Sequence, residues 1–356
     1  MLARINRYLL TAFSILILAY SNATLAAVIL QYHHVSDSTP ASTSISPAQF
    51  KVHMEYLNAN DFNVVPLSDI VSAVAEGKAL PDKTVAITFD DAYLNIYTNG
   101  KPILDSYNFP YTIFVNAGLV ADNSTHYMSW AHLKEIAEQR GIIANHGYHH
   151  DSLTRPPAGM ANDVWLAQYE HDLMRSENLI KQHTGHNYRY FAYPYGEYTP
   201  EIEAWLQSNK FVGFSQQSGA VGMHSSLTSL PRFPASKPYD KISSLRDKLN
   251  SLPLEIKPTE ENAETIVSFK ATKSVTFDVT VDDFKPAQLN CYISGLGKQT
   301  VEWLSENQFT IKFDGDLPVG RARCNCTAPS ISKPGRYYWY SKPWFVLKAD
   351  GSWYPL

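Results

Sequence analysis

The chain has 356 residues, of which 44% are hydrophobic, and a formal net charge of −4. This length is sufficient for two domains, each with a core of its own. A mildly acidic chain without a basic run argues against nucleic acid as the partner, and it is compatible with neutral or cationic substrates.

The first 26 residues have the pattern of a secretory signal peptide. Arg4 and Arg7 form a basic start, positions 8–20 are almost wholly apolar, and Thr-Leu-Ala at 24–26 offers a cleavage site. The apolar run is short for a membrane span, although an uncleaved anchor is the alternative. Cleavage removes two Arg and no acidic residue, which changes the charge from −4 to −6. We therefore expect a secreted or periplasmic protein that is not an integral membrane protein after cleavage.

Predicted strands and helices alternate from residue 27 to 252, which indicates a parallel sheet or barrel with right-handed crossovers. The predicted strands are Ala27–Tyr32, Thr84–Phe89, Tyr111–Val115, Ile142–Asn145, Tyr190–Ala192, Val212–Phe214 and Leu227–Leu230. The predicted helices are Pro47–Asn58, Leu67–Glu76, Trp130–Arg140, Val164–Thr184, Pro200–Asn209 and Tyr239–Leu249.

The composition changes after residue 252. The polar segment 253–262 is typical of a linker, and residues 263–356 consist of short alternating runs separated by turn residues, which predicts a β-sandwich. The predicted strands there are Ile266–Ala271, Ser274–Val281, Gln288–Ser294, Thr300–Leu304, Gln308–Phe313, Arg321–Thr327 and Tyr337–Leu347. An exported protein can form a disulfide, and Cys291 is expected to pair with either Cys324 or Cys326.

Residues 84–93 combine an apolar, β-branched run with two adjacent carboxylates, Asp90 and Asp91. Such a run predicts a buried strand. Catalytic groups of α/β proteins lie at the carboxyl ends of strands, whereas acids at a strand end also form ordinary turns. Two acids at this position therefore indicate either chemistry or a turn, and the remaining motifs must distinguish the two.

A pair of histidines, His146 and His150, lies four residues apart in the segment following a predicted strand. This spacing allows two imidazoles to bind one ion. With a carboxylate from Asp90 or Asp91 they can form a site that leaves positions open for water and substrate. The alternative is an exposed polar loop.

The motifs together resemble those of the polysaccharide deacetylase family, also called the NodB homology domain or carbohydrate esterase family 4. The matching segments are Thr-Phe-Asp-Asp at 88–91, His-x-x-x-His at 146–150 and Phe-Ala-Tyr-Pro-Tyr-Gly at 191–196. The resemblance covers roughly residues 28–236 and implies a distorted (β/α)7 barrel. It also implies that Asp91, His146 and His150 bind the metal and that Asp90 is the general base.

Physical chemistry agrees with these roles, because adjacent residues of a strand point to opposite sides. A divalent ion polarises an amide carbonyl and lowers the pKa of water, and a nearby free carboxylate can take the proton. Zn²⁺ suits the ligands best, with Co²⁺, Ni²⁺ or Mn²⁺ as alternatives. The turn from Tyr193 to Gly196 is expected to contribute an oxyanion donor, with Tyr193 and Tyr195 near the substrate.

The sequence departs from the family pattern at two positions, that of the proton donor and that of an arginine. Many members carry a Leu-x-His motif late in the barrel, which this chain lacks. Instead, the first strand ends in His33 and His34, as in the permuted poly-N-acetylglucosamine deacetylases of biofilm export systems. We predict that His33 is the acid, with His34 as the competitor. Ala192 stands where many members have Arg, and we expect Arg232 to supply that charge.

The predicted function is N-deacetylation of a β-linked N-acetylglucosamine polymer, with the β-1,6-linked exopolysaccharide favoured by the resemblance. The alternatives are a deacetylase of peptidoglycan or chitin fragments, or an amidase of the same fold. A non-catalytic glycan-binding protein is a further alternative. The β-sandwich is a candidate for binding a glycan or another protein.

Overall fold

The computed structural model describes most of the chain, namely residues 26–122, 124–270, 273–280 and 283–356. The predicted signal peptide lies outside these residues except for Ala26, and so do positions 271 and 281, where two predicted strands end. None of the helices in the described ranges is long and apolar enough to cross a membrane.

Strands and helices alternate in the N-terminal part, as predicted. Its strands are β1 (Ala26–Tyr32), β2 (His34–Val35), β3 (Ser44–Ile45), β4 (Asn63–Val64), β5 (Thr84–Phe89), β6 (Tyr111–Val115), β7 (Gly141–Asn145), β8 (Tyr190–Ala192), β9 (Val212–Phe214), β10 (Val221–Gly222) and β11 (Phe233–Pro234). Its helices are α1 (Pro47–Ala59), α2 (Leu67–Glu76), α3 (Lys101–Ser106), α4 (Ala117–Ala121), α5 (Trp130–Ala137), α6 (Asn162–Thr184), α7 (Pro200–Ser208) and α8 (Ile242–Leu249).

Parallel strands form the wall of the N-terminal domain in the order β1-β5-β6-β7-β8-β9. All residues of β1 and β5 are buried, as expected for a parallel sheet covered on both faces. Apolar residues fill both sides of this wall, with Tyr32 and Phe89 in one cluster and Ile29 and Phe114 in another. The C-terminal ends of the strands thereby meet on one rim.

The segment from Leu230 to Pro234 closes the wall between β9 and β1. The N–H of Ser215 donates to the carbonyl of Leu230 at 3.0 Å, and on the other side β11 pairs in parallel with β1. Within the described residues, the six parallel strands and this closing segment form a distorted barrel of seven units. The predicted fold class is confirmed. The predicted strand Leu227–Leu230 is wrong, because only Leu230 forms a bridge, with Phe214, and the closing strand β11 lies further along at Phe233–Pro234.

Two short helices are absent from the prediction. A π-helical turn at Ile96–Gly100 leads into α3, and α4 follows β6 directly. Each is too short to show the repeated apolar spacing by which longer helices are recognised. The remaining predicted elements recur with small shifts at their ends.

A second, curled sheet follows the barrel. Its strands are β12 (Ser251–Pro253), β13 (Ile256–Pro258), β14 (Ile266–Ser268), β15 (Ser274–Val279), β16 (Asn290–Ile293), β17 (Gly297–Ser305), β18 (Gln308–Lys312), β19 (Gly320–Pro329) and β20 (Tyr337–Leu347). Their order among the described residues is β12-β20-β19-β16-β17-β18-β15-β13, with β14 also paired to β20. The long strand β17 pairs with both β16 and β18, so the two halves of the β-domain belong to one continuous sheet. The sheet curls so that these halves form two layers.

The core of this β-domain lies between the two layers and contains the buried rings of Phe277, Phe309 and Trp344. A disulfide joins Cys291 of β16 to Cys326 of β19, its partner in the register, which confirms the predicted bridge from Cys291. Among the cysteines described, Cys324 stays free and is buried.

Part of the segment 253–262, predicted as a linker, is paired with the second sheet. Strand β12 begins at Ser251 and pairs with β20, and Ile256–Pro258 pairs with β15. Its polar residues alternate with buried Leu254 and Ile256, so the segment is part of the second sheet. The connection from the barrel to the β-domain is therefore paired with strands β15 and β20. The division into units at 27–252 and 263–356 stays a proposal.

Candidate active site

The predicted chemical groups meet on the carboxyl rim of the barrel. His33 follows β1, Asp90 and Asp91 follow β5, and His146 follows β7. Register pairs Tyr32 of β1 with the last residue of β5, so these strands end at the same level. This rim is where barrel enzymes carry their active sites.

Asp90 and Asp91 separate at a sharp turn. The N–H of Asp90 donates to the carbonyl of Tyr32 at 2.9 Å and continues the ladder of the sheet. Asp91 and Ala92 then adopt left-handed conformations, with φ angles of 70° and 54°. The two carboxylates consequently contact different partners, as the sequence predicts.

Asp90 is fully buried and accepts a bidentate pair of hydrogen bonds from Arg232, at 2.6 and 2.9 Å. The Nε2 group of Gln31 donates to the same carboxylate at 2.7 Å. Burial raises the pKa of a carboxyl group, but the charges of Arg232 and the nearby histidines outweigh it and lower the pKa of Asp90 to about 2. Asp90 is therefore ionised.

Arg232 reaches Asp90 from the closing segment of the barrel, the direction expected from the sequence. Its side chain is fully buried, and Nε donates to the carbonyl of Ser215 at 3.0 Å. The guanidinium also lies 5.2 Å from the centroid of the Phe114 ring. These contacts fix the guanidinium in one orientation.

Asp91, His146 and His150 converge on one point. The Oδ1 atom of Asp91 lies 3.4 Å from Nε2 of His146 and 3.5 Å from Nε2 of His150. Donor atoms that bind a tetrahedral ion at about 2.0–2.2 Å are roughly 3.3–3.6 Å apart. All three donor atoms lie within 4.8 Å of one another, so their spacing fits a divalent metal.

The orientation of the two imidazoles also fits a metal. Nδ1 of His146 donates to the carbonyl of Ala192 at 2.8 Å, which leaves a lone pair on Nε2. That buried Nε2 atom has no hydrogen-bond partner among the described residues. Burial, followed by the charge of His146, lowers the pKa of His150 to about 4, so its ring is neutral.

The two histidines after β1 have different surroundings. Nε2 of His33 lies 3.9 Å from Oδ2 of Asp90, and its side chain is 19% exposed, so it opens onto the site. The ring of His34 stacks on Tyr93 with centroids 3.6 Å apart, and its Nδ1 accepts from Asn95 at 2.9 Å. This geometry favours His33 as the group beside the reacting bond.

The two tyrosines of the third motif behave differently. Tyr193 is fully buried, its hydroxyl donates to the carbonyl of Thr228 at 2.7 Å, and its N–H donates to Phe214 at 3.0 Å. The hydroxyl and the N–H of Tyr193 are therefore both used within the fold, and its predicted place near the substrate stays a prediction. Tyr195 is partly exposed, and its ring lies 4.4 Å from that of His150.

Sequence reasoning missed two residues of the site. Gln31 lies two positions before His33, and the two-residue period of a strand places both side chains on one side. Tyr93 lies two positions after Asp91, and the carboxylate of Asp91 acts on the pKa of its hydroxyl. Burial, followed by the charge of Asp91, raises the pKa of Tyr93, so its hydroxyl keeps its proton. The two-residue spacing from His33 could have indicated Gln31, and the position next to the acid pair could have indicated Tyr93.

A buried acid lies behind the histidine loop. Nδ2 of Asn145 donates to Oε1 of Glu177 at 3.1 Å, while Oδ1 of Asn145 accepts from the N–H of Gly147 at 2.8 Å. Burial raises the pKa of Glu177 to about 7, although the Asn145 contact opposes the rise. Glu177 thus supports, through Asn145, the backbone beside His146, and burial keeps the carboxyl group of Glu177 in its neutral form up to about pH 7.

We expect Glu177→Gln to stabilise the protein at pH 8 by about 2 kcal/mol. The ordinary pKa of 4.5 applies to the unfolded chain, which releases this proton before the folded one does as pH rises. Glu177 therefore does not destabilise the folded protein below pH 4.5, where it is neutral in both states. The free energy of unfolding falls as pH rises from there through about 7. Urea unfolding at several pH values measures the difference. Glu170→Gln, an exposed change on α6, is the control, and an equal gain at pH 4 would contradict the prediction.

The sequence of this protein is similar to those of known proteins. Residues 77–214 match the family model described as "Polysaccharide deacetylase". A poly-beta-1,6-N-acetyl-D-glucosamine N-deacetylase of Staphylococcus epidermidis is 25% identical over 230 residues, which cover 59% of this chain and 79% of that protein.

Two solved structures have the same fold. IcaB from Ammonifex degensii is 27% identical with a TM-score of 0.55, covering 62% of this chain and 96% of that one. The BpsB deacetylase domain from Bordetella bronchiseptica is 25% identical with a TM-score of 0.50, covering 59% of this chain and 96% of that one. Each similarity covers about three fifths of this chain.

Proposed function

We propose that this protein removes acetyl groups from poly-β-1,6-N-acetylglucosamine by hydrolysing their amide bonds with a bound divalent metal, in line with the match of residues 77–214 to the polysaccharide deacetylase family model. The observation that carries this proposal is the convergence of Asp91, His146 and His150 beside the ionised carboxylate of Asp90. The products are acetate and a polymer with free amines.

Asp91, His146 and His150 would hold the metal, most suitably Zn²⁺. When bound, it supplies positive charge that polarises the acetamide carbonyl and makes water more acidic. The tilt of His146 is set by the carbonyl of Ala192 rather than by a charged partner.

Asp90 acts in this proposal as the general base. Its carboxylate accepts the proton of the attacking water, and Arg232 and Gln31 hold it in place and ionised. A carboxylate with a pKa near 2 is a weak base, so it serves only for a water that has already been made acidic.

His33, whose Nε2 lies 3.9 Å from Oδ2 of Asp90, donates a proton to the departing amine. An amine is a poor leaving group unless it is protonated, which makes this donor necessary.

The developing oxyanion needs a hydrogen-bond donor as well. In the turn at 193–196, the N–H groups of Tyr193 and Gly196 are used and Pro194 has none, so we assign this role to the N–H of Tyr195.

The substrate assignment rests on relatives named for poly-β-1,6-N-acetylglucosamine. That polymer lies outside the cell, so the proposal includes a secreted or periplasmic location, in line with the predicted signal peptide. Peptidoglycan and chitin oligosaccharides share the same acetamide group and are the alternatives that the substrate test must separate.

We expect the protein to release acetate from β-1,6-linked N-acetylglucosamine oligomers faster than from β-1,4-linked chitin oligomers or peptidoglycan. A chelator should abolish the activity, and Zn²⁺ or Co²⁺ should restore it. His146→Ala should lose both metal binding and acetate release, because it removes a buried ligand. Metal content by mass spectrometry and an acetate assay measure these effects.

The matched control is His149→Ala, which removes an exposed histidine of the same loop that packs beside Gly118 and Tyr148. Its metal content and turnover should stay close to those of the unmodified protein. Full activity in His146→Ala would refute the metal site, and a preference for chitin oligomers would refute the proposed linkage.

Exchanging each carboxylate for an amide should separate the two acids. Asp91→Asn should lower metal affinity, whereas Asp90→Asn should retain the metal and lower kcat by about 10²–10⁴-fold. The reason is that Asp91 contacts both histidines and Asp90 contacts Arg232. Metal titration and steady-state kinetics on the two variants measure the effects. Loss of metal from both variants in equal degree would contradict the division of roles.

A substrate with a good leaving group tests His33. We expect His33→Ala to lower kcat on the glycan by about 10²–10³-fold, and to have a much smaller effect on 4-nitrophenyl acetate, whose leaving group needs no proton. Asp90→Asn should impair both reactions. His34→Ala is the control for the neighbouring ring. If His33→Ala impaired ester and amide hydrolysis equally, His33 would be the base rather than the acid.

A further inference from the structure

The turn that carries Tyr195 has a backbone conformation that needs support. Tyr195 has φ and ψ angles of 58° and 0°, and Gly196 has a φ of 72°. A left-handed conformation is unfavourable for a residue with a side chain, and it persists only where surrounding contacts impose it. The contacts that impose it here come in part from the β-domain.

Glu197 anchors the end of this turn. Its side chain is fully buried and accepts hydrogen bonds from Nε of Arg155 and from Oγ of Ser152, both at 2.7 Å. Ser152 and Arg155 lie in the loop that follows His150. Glu197 therefore ties the loop of a proposed metal ligand to the turn of the proposed oxyanion donor.

The C-terminal tail of the β-domain covers this ion pair. The hydroxyl of Tyr354 donates to Oε1 of Glu197 at 2.8 Å, and Arg155 donates to the carbonyl of Tyr354 at 2.7 Å. The guanidinium of Arg155 also lies over the rings of Trp353 and Tyr354, at 4.2 and 4.4 Å from their centroids. The side chain of Arg155 is only 11% exposed as a result.

A second contact from the β-domain reaches the turn itself. Arg321, in β19, donates to the carbonyl of Tyr195 at 3.2 Å and to Oε1 of Gln216 at 3.0 Å. The side chain of Gln216 packs on Gly196, where an added Cβ would lie 2.7 Å from it. Arg321 thus holds the turn from the outside through both its backbone and the side chain that covers it.

We propose that the β-domain is part of the catalytic apparatus, with Arg321 and Tyr354 as positioning residues that hold the Tyr195 turn and the His150 loop in register. The inference rests on the proposed function, because it assigns a purpose to the geometry of that site. It gives the β-domain a role at the active site, whereas the sequence suggested a separate module for glycan or protein binding.

The test compares Arg321→Ala, Tyr354→Ala and the double variant with Arg336→Ala. Arg336 is a matched control because it also joins the β-domain to the barrel, through Asp82 at 2.6 Å and the carbonyl of Asn250 at 2.9 Å, but it does not contact the turn. Hydrogen–deuterium exchange of peptides spanning 190–200 reports the order of the turn. Steady-state kinetics report kcat and KM separately, and thermal unfolding reports overall stability.

We expect the double variant to exchange faster within 193–197 and to lose about tenfold or more in kcat with little change in KM. Arg336→Ala should leave both quantities unchanged even where it lowers Tm, and Arg321→Lys should recover part of kcat. Unchanged exchange in the double variant, or equal losses of kcat in Arg336→Ala, would overturn the proposal. Absence of acetate release from the unmodified protein would refute the proposed function instead, and the exchange comparison would still decide whether these residues order the turn.

Discussion

The buried ion pair between Asp90 and Arg232 is the constraint around which the barrel rim is organised. Neither side chain has contact with solvent, and each uses its remaining capacity on a neutral partner, Gln31 for the carboxylate and the carbonyl of Ser215 for the guanidinium. Removing one member of such a pair leaves an uncompensated buried charge, which costs about 3–5 kcal/mol. The pair joins the end of β5 to the segment that closes the barrel, so closure of the fold and ionisation of the proposed base depend on the same contact.

A second constraint is conformational and affects three residues of the site. Asp91, His150 and Tyr195 all have left-handed backbones, with φ angles of 70°, 66° and 58°. Such conformations cost on the order of 1 kcal/mol or more each, so the fold must hold them from outside. For the last two, part of that support comes from the ion pair of Arg155 with Glu197 and from the tail that covers it. Contacts from outside the barrel thus help to hold the backbone of the rim in these conformations.

The chemistry of the site was predictable from sequence to the extent that it lies in short motifs. A β-branched run ending in Asp90 and Asp91 and a histidine pair at a spacing of four are local patterns, and a barrel brings strand ends together without further information. The role of Arg232 was also predictable. Ala192 stands where many family members have an arginine, so another residue had to supply the positive charge. Tyr193 was not predictable: its burial depends on contacts with Phe214 and Thr228, which no pattern around residue 193 reveals.

The sequence by itself determined the alternation of strands and helices, the change to a β-rich second half and the residue types available for metal binding and proton transfer, because each of these depends on neighbours in the chain. Only the tertiary structure decided that His33 faces Asp90 while His34 stacks on Tyr93. It also decided that the strand pairing with β1 lies at Phe233–Pro234 rather than at Leu227–Leu230, and that Tyr354 lies against Arg155. These outcomes depend on packing between segments that are distant in sequence, and the free energy of that packing is invisible until the chain is folded.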